Sequence, residues 1–130
     1  MASFWFSASF RIHGAPHLHP EIIATLGPGD ECHKKGDDRP NSPGKKWPND
    51  IWLLSSEVPE MQDISDHLRW IVEFLQPFEA DILRWTAQGA TADIYISYCC
   101  DEDHCGFGLP PDLLAIFSRL NLRLEVSIMT

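Results

Sequence analysis

The stretch FWFSASFRI, residues 4–12, decides the fold class of this chain. Phenylalanine, alanine and isoleucine occupy every second position, and serine, arginine and one tryptophan occupy the positions between them. This period-two alternation predicts a β-strand with one buried face and one face in water. The alternation returns at 92–99 and 122–129. Because both faces of a doubly wound sheet are covered, its strands are continuously apolar, and the alternation argues against that fold.

Helical spacing of apolar residues separates these strands. It predicts helices at 19–27, 63–76 and 110–120, with Asp63 as the cap of the second, and a further helical piece after Pro77. Residues 50–57 predict another strand. We therefore expect an α+β fold, a two-layer sandwich with helices packed on one face of a mixed, mainly antiparallel sheet of about four strands.

Composition limits the function classes. The 130 residues predict a single domain, 1–130, and 44% hydrophobic and 22% charged residues are ordinary for a globular protein. The net charge of −9 argues against general nucleic-acid binding, because such a surface repels phosphates. No apolar run approaches the roughly 18–20 residues that a membrane-spanning helix needs.

The compartment is inferred from the first residues and the cysteines. Residues 1–10 carry neither a basic segment nor a continuous apolar core, so they do not resemble a secretory signal. Of the four cysteines, Cys99 and Cys100 are adjacent, which makes two ordinary separate disulfides difficult. We therefore expect a cytoplasmic protein with reduced thiols.

The segment 27–50 has no periodicity and is rich in glycine and proline, so we expect a long irregular loop inside the domain, with room for a short strand near Cys32. Long loops in compact domains are often functional. The loop combines basic, acidic and aromatic side chains, which predict a partner- or ligand-binding site formed by His33, Lys35, Asp37, Arg39 and Trp47. The alternative is a loop held by its own salt bridges, with tryptophan in the core.

A metal site is a weaker hypothesis. Candidate ligands cluster within 99–105, namely Cys99, Cys100, His104 and Cys105. Structural zinc sites usually use cysteine pairs separated by two to four residues, and this loop has no Cys-x2-Cys pair. We expect no cofactor. No catalytic motif occurs, so a binding protein is favoured over an enzyme.

Acidic residues are concentrated in the central third of the chain. Residues 57–103 contain eleven acids and two bases. Such a stretch forms either solvated helix faces or a surface that attracts a basic partner protein.

Soft motifs along most of the chain resemble a known family. They are the first-strand pattern Ser7, Ala8, Phe10, Arg11, Ile12 and Gly14; the helix pattern Pro20, Glu21, Ile22, Leu26 and Gly27; the run 33–37; the strand 52–56; and the helix pattern Asp66, His67, Leu68, Leu75 and Pro77. Together they resemble the bacterial proteins grouped as domain of unknown function 4279. Cys32 and the cysteine-bearing loop 99–105 depart from that pattern. The resemblance implies a small stand-alone cytosolic domain without an assigned reaction, a class that often includes toxin-sequestering immunity proteins.

Two main hypotheses follow. The first is a protein-binding module, an immunity-type inhibitor whose acidic helical face around 57–85 meets a basic partner. The second is a small-ligand-binding domain or enzyme in which residues 33–39 close over a pocket. A binding module needs only a flat or convex charged face, whereas a ligand site needs a concave surface with convergent polar groups.

Overall fold

The chain folds into one mixed sheet and a layer of helices, as seen in a computed structural model that describes residues 4–101 and 106–129. The strands are β1 (Phe4–His13), β2 (Glu31–His33), β3 (Ile51–Ser55), β4 (Thr91–Cys100) and β5 (Arg123–Met129). The α-helices are α1 (His19–Leu26), α2 (Ile64–Leu75), α3 (Glu79–Ala87) and α4 (Pro111–Arg119). The predicted α+β class is confirmed.

The sheet has the strand order β2-β3-β1-β4-β5, so the first strand of the chain lies in its middle. Strand β1 pairs antiparallel with β3 and β4, and β2 pairs antiparallel with β3. Strand β5 pairs parallel with β4, because the intervening helix α4 provides the crossover that parallel neighbours need. The predicted mixed, mainly antiparallel sheet is therefore confirmed.

The alternation in β1 separates the two faces of the sheet as predicted. The buried side chains are Phe6, Ala8, Phe10 and Ile12, which belong to one apolar core with the helices. Arg11 projects from the opposite face and is partly exposed. Burying a large apolar side chain contributes about 1.5–3 kcal/mol, so this row of β1 is a main source of stability.

Helix α2 covers the apolar face of the sheet. Asp63 caps it as predicted, since its Oδ2 accepts the N–H of Ser65 at 3.0 Å. Its buried stripe consists of Ile64, His67, Leu68, Ile71 and Leu75. Pro77 lies in a 3-10 turn, and α3 then buries Ile82 and Trp85. The helical layer is thus formed by residues at the predicted spacing.

The sheet has five strands rather than about four, and the segment 27–50 is not wholly irregular. Strand β2 lies within it, and an isolated bridge joins Asp38 to Lys46. Gly29 makes the entry to β2 possible, since it has φ +63° and an added Cβ would lie 2.7 Å from the carbonyl oxygen of Leu53. Three residues are too few to show a period, which is why the sequence predicted this strand only as an option.

Strand β5 carries apolar residues that the helices do not cover. Leu124, Val126 and Ile128 are in register with buried residues of β4, yet they are 43%, 40% and 64% exposed. The alternation at 122–129 predicts one apolar face formed by Leu122, Leu124, Val126 and Ile128, and of these only Leu122 is buried. The helical layer therefore ends before this edge of the sheet. Among the described residues, no helix is long and apolar enough to cross a membrane.

Candidate functional site

The face of the sheet opposite the helices carries a row of charged side chains. Residues in cross-strand register follow one another from edge to edge, one from each strand: Glu31, Leu53, Arg11, Asp93 and Arg123. Residues opposite each other on one face of a sheet lie about 4.5–5.5 Å apart at Cβ, so these groups form a strip that is charged at every position except Leu53. A second row beside it contains His33, Ile51 and His13.

A two-point ion pair lies at the centre of this strip. Arg11 donates from Nε to Asp93 Oδ1 at 2.7 Å and from Nη2 to Oδ2 at 2.9 Å. The Asp93 side chain is only 3% exposed, and the Arg11 guanidinium also lies 4.5 Å from the centre of the Tyr95 ring. The hydrogen bonds to Asp93 raise the pKa of Arg11 above its ordinary value. Both charges are therefore fixed in place on the sheet.

His13 lies beside this pair. Its Nε2 is 3.7 Å from Asp93 Oδ2, and its side chain is 37% exposed. Its backbone turn continues into Gly14 and Ala15, whose N–H groups donate to the buried carboxylate of Asp50 at 3.0 and 3.4 Å. Asp50 therefore fixes the turn after β1.

Trp47 forms the wall of the site beside β2. Its ring stacks on His33 with centroids 3.7 Å apart and planes 7° from parallel, and the Arg39 guanidinium lies 4.5 Å from its centre. Both ring nitrogens of His33 are buried without a hydrogen-bond partner among the described residues. Nε2 does lie 3.3 Å from Glu31 Oε1, which is an ion-pair distance without hydrogen-bond geometry.

The loop carrying Trp47 is held by its own backbone. The N–H of Gly36 donates to Trp47 O and the N–H of Trp47 donates to Asp37 O, each at 2.8 Å. The Asp37 carboxylate accepts the N–H of Lys34 at 2.8 Å, and Lys46 pairs with Asp38. The loop is thus closed on itself while its aromatic side chain rests on the sheet.

The strip and the loop enclose a pocket of about 520 Å³. Its lining includes Arg11, His13, His33, Arg39, Trp47 and Arg123. Of the five residues predicted from the loop, His33, Arg39 and Trp47 line this pocket. Lys35 and Asp37 are exposed and are not part of its lining, and the Asp37 carboxylate instead accepts the N–H of Lys34.

Three strand residues of the pocket were not predicted as site residues from the sequence. These residues are Arg11, His13 and Asp93, which lie on the open face of the alternating strands. Their polar side chains at outward-facing strand positions are the feature of the sequence that could have indicated a site. Their approach to one another depends on the pairing of β1 with β4, which local patterns do not specify.

Two other histidines are buried away from the pocket. His67 on α2 pairs through Nδ1 with the Ser56 hydroxyl at 2.6 Å, and its Nε2 has no partner among the described residues. His19 Nε2 lies 3.3 Å from the sulfur of Cys32. Burial lowers the pKa of both histidines and raises the pKa of the Cys32 thiol. These shifts favour the neutral thiol, so the pair lacks the activated thiolate that a nucleophile needs.

The cysteine-bearing loop is only partly described. His104 and Cys105 lie outside the described residues, and in the described part no three potential ligands are grouped to hold a metal ion. Cys32 and Cys99 are free, whereas Cys100 is disulfide-bonded. The expectation of reduced thiols is therefore wrong at Cys100.

A smaller cavity of about 230 Å³ lies near the start of β1. Its lining is largely aromatic, and Phe6 and Tyr98 stack with centroids 4.7 Å apart. Asp63 is the charged residue of its lining. The pocket of about 520 Å³ thus differs from this smaller cavity in having several charged side chains in its lining.

Fold and site together define a two-layer α+β protein whose open sheet face carries a charged pocket. The chain belongs to the family described as Domain of unknown function (DUF4279), whose model matches residues 4–130. The resemblance found in the sequence is thereby confirmed. No curated protein and no solved structure matches the chain.

Proposed function

We propose that this protein is a small-molecule-binding domain whose ligand occupies the pocket on the open face of the sheet. One observation carries the proposal: ionised and aromatic side chains from four strands and one loop converge on a single concave volume of about 520 Å³. Ligand pockets typically measure about 300–1,000 Å³ and contain a few fixed polar groups. The proposal concerns ligand binding and does not include a catalysed reaction.

The rigidity of the pocket floor supports the proposal. The Arg11–Asp93 pair is held by two hydrogen bonds and by the sheet beneath it, so its polar atoms keep their positions without a ligand. A preorganised site loses little side-chain entropy on binding. The loop wall is held similarly, by the backbone bonds of Trp47.

Two-dimensional ¹H–¹⁵N NMR with four ring compounds tests the proposal. The probes are benzoate, phenyl phosphate, benzamide and benzamidine, which are similar in size and differ in charge. At least one is expected to shift the amide signals of Arg11, His13 and His33, with a smaller response in Trp47→Ala. Trp5→Ala is the matched control, because Trp5 lies on β1 and does not line the pocket. If no probe shifts these signals, the proposal fails.

A protein-binding role for the acidic surface is the second candidate. Glu57, Glu60, Asp66 and Glu73 are exposed and form no ion pair with the described residues. Exposed carboxylates that are not neutralised attract a basic partner, as an immunity-type inhibitor requires.

A pull-down from host lysate at low and raised salt tests this second role. A basic partner is expected to be retained at low salt and lost at high salt, because salt screens exposed charges over about 10 Å or less. The variant Asp66→Asn/Glu73→Gln should retain less of it. A partner that both the parent and the variant hold equally well at either salt concentration contradicts this candidate.

The proposal includes a cytoplasmic location in a bacterium. The disulfide of Cys100 weighs against this part, because disulfides are rare in reducing compartments. Cell fractionation with antibody detection tests it. Recovery of the protein outside the cytoplasm would contradict the location without affecting the pocket.

A further inference from the structure

The pocket is lined by four acids and three arginines. Its acids are Glu31, Asp50, Asp93 and Glu125. Arg11 binds Asp93, and Arg123 pairs with Glu125. The backbone N–H groups after β1 bind Asp50, and His33 Nε2 lies 3.3 Å from Glu31. Three of these carboxylates therefore have a donor that holds them, whereas Glu31 lies beside His33 without a hydrogen bond.

Arg39 is the exception among the arginines of the pocket. Its guanidinium contacts the ring of Trp47, and within the described residues no carboxylate pairs with it. The side chain is partly buried, so water compensates its charge less than it would at an exposed site. An arginine in such a place offers a planar set of donors to an incoming anion.

His33 adds a second group without a hydrogen-bond partner at the same wall. Neither ring nitrogen is satisfied among the described residues, although both atoms are buried. A neutral imidazole always carries one N–H donor. Unsatisfied buried donors are uncommon in native proteins and call for an explanation. The stack with Trp47 places this ring beside the wall that also holds Arg39.

We infer that the pocket selects an anionic ligand, whose carboxylate or phosphate group is bound by the guanidinium of Arg39. This inference rests on the proposed function, because it assigns the chemistry of the same pocket. Arg11 and Arg123 are each engaged by an acid, whereas the guanidinium of Arg39 has no carboxylate partner among the described residues and is available to an anion. Carboxylate and phosphate share the chemistry that an arginine recognises, and the probes distinguish them.

The experiment compares the affinities of the four ring compounds by NMR titration. Benzoate or phenyl phosphate is expected to bind at least about tenfold more tightly than benzamide, since a charged hydrogen bond contributes about that factor. Benzamidine, with the same ring and a positive charge, should bind more weakly still. Inorganic phosphate in a parallel titration separates recognition of the phosphate group from recognition of the ring.

Three variants assign the effect to Arg39. Arg39→Gln should lower anion affinity about tenfold or more, and Arg39→Lys should recover part of it, because lysine keeps the charge and loses the planar set of donors. Lys35→Gln is the matched control, since it removes the same charge from the same loop outside the pocket lining. It should leave the affinity within about twofold.

The outcomes separate the two proposals. If benzamide or benzamidine shifts the pocket signals as strongly as the anions do, the pocket binds ligands but the anionic preference is wrong. If Arg39→Gln and Lys35→Gln weaken anion binding equally, the effect is general electrostatics and the role of Arg39 is wrong. If no probe shifts the pocket signals, the proposed function itself fails.

Discussion

The two faces of the central sheet differ although the same strands form both. On the helix side, Phe10 faces Ile94 across the β1–β4 pair, and both side chains are fully buried. One residue later, Arg11 faces Asp93 on the open side, where the pair forms the floor of a pocket. The comparison shows that alternate residues of one strand have different roles: one set packs in the core and stabilises the fold, and the other set lines the pocket.

The largest effect is expected on the helix side. Ile94→Ala removes a fully buried side chain from the core and should lower the free energy of unfolding by about 2–5 kcal/mol. Urea denaturation followed by circular dichroism measures the loss. A loss below about 1 kcal/mol would mean that the helical layer packs less tightly on β4 than the structure indicates.

The ion pair on the open face should contribute less. Asp93→Asn leaves Arg11 without its carboxylate, and we expect a loss of about 1–3 kcal/mol, because Arg11 is 23% exposed and water compensates part of its charge. The double variant Arg11→Gln/Asp93→Asn should lose less than the two single losses together. Additive losses in this cycle would contradict a direct coupling between the two side chains.

A substitution at the entry to β2 is expected to have an effect of intermediate size on stability. Gly29→Ala should lower the free energy of unfolding by about 1–2 kcal/mol or more, since a Cβ would meet Leu53 O at 2.7 Å. Gly36→Ala is the control, because its φ is also positive but nothing lies within 4 Å of the added atom. Equal losses in the two variants would show that the close approach at Gly29 is relieved.

The smallest effect concerns pH and arises from two buried histidines of the helical layer. Burial lowers the pKa of His19 and His67 below 6.5, so the unfolded chain binds more protons than the folded one just below that pH. The contribution of these two neutral histidines to the free energy of unfolding is therefore fully present above the unfolded pKa of about 6.5. It is lost as the pH decreases toward their folded pKa values. His67→Gln should flatten this decline in urea denaturation from pH 7 to pH 5. An unchanged slope would contradict the role of His67.

Local sequence patterns were sufficient to predict the helix side of the sheet. The alternation of Phe6, Ala8, Phe10 and Ile12 predicts the buried face of β1, and the position of Asp63 before an apolar helical pattern predicts the cap of α2. These features depend on neighbours within a few residues. The sequence therefore predicted most elements and the fold class.

The open face required information that local patterns do not hold. Arg11 and Asp93 are separated by 82 positions, and only strand pairing brings them together. Lys35 and Asp37 were predicted with their neighbours because they are close in sequence, although neither lines the pocket. Trp47 was a candidate by residue type, but its stack on His33 depends on a strand of three residues.

The central position of β1 has a consequence for how the protein folds. The first strand in the chain is the middle strand of the sheet, and its longest partner, β4, ends at Cys100. During synthesis, β1 therefore cannot pair with the complete β4 until about 90 further residues have been made. Closing so long a loop before the contacts form slows folding and leaves an aromatic strand exposed meanwhile. A ribosome-bound nascent chain ending before β4 should thus be a strong chaperone substrate, whereas one extended beyond β5 should not.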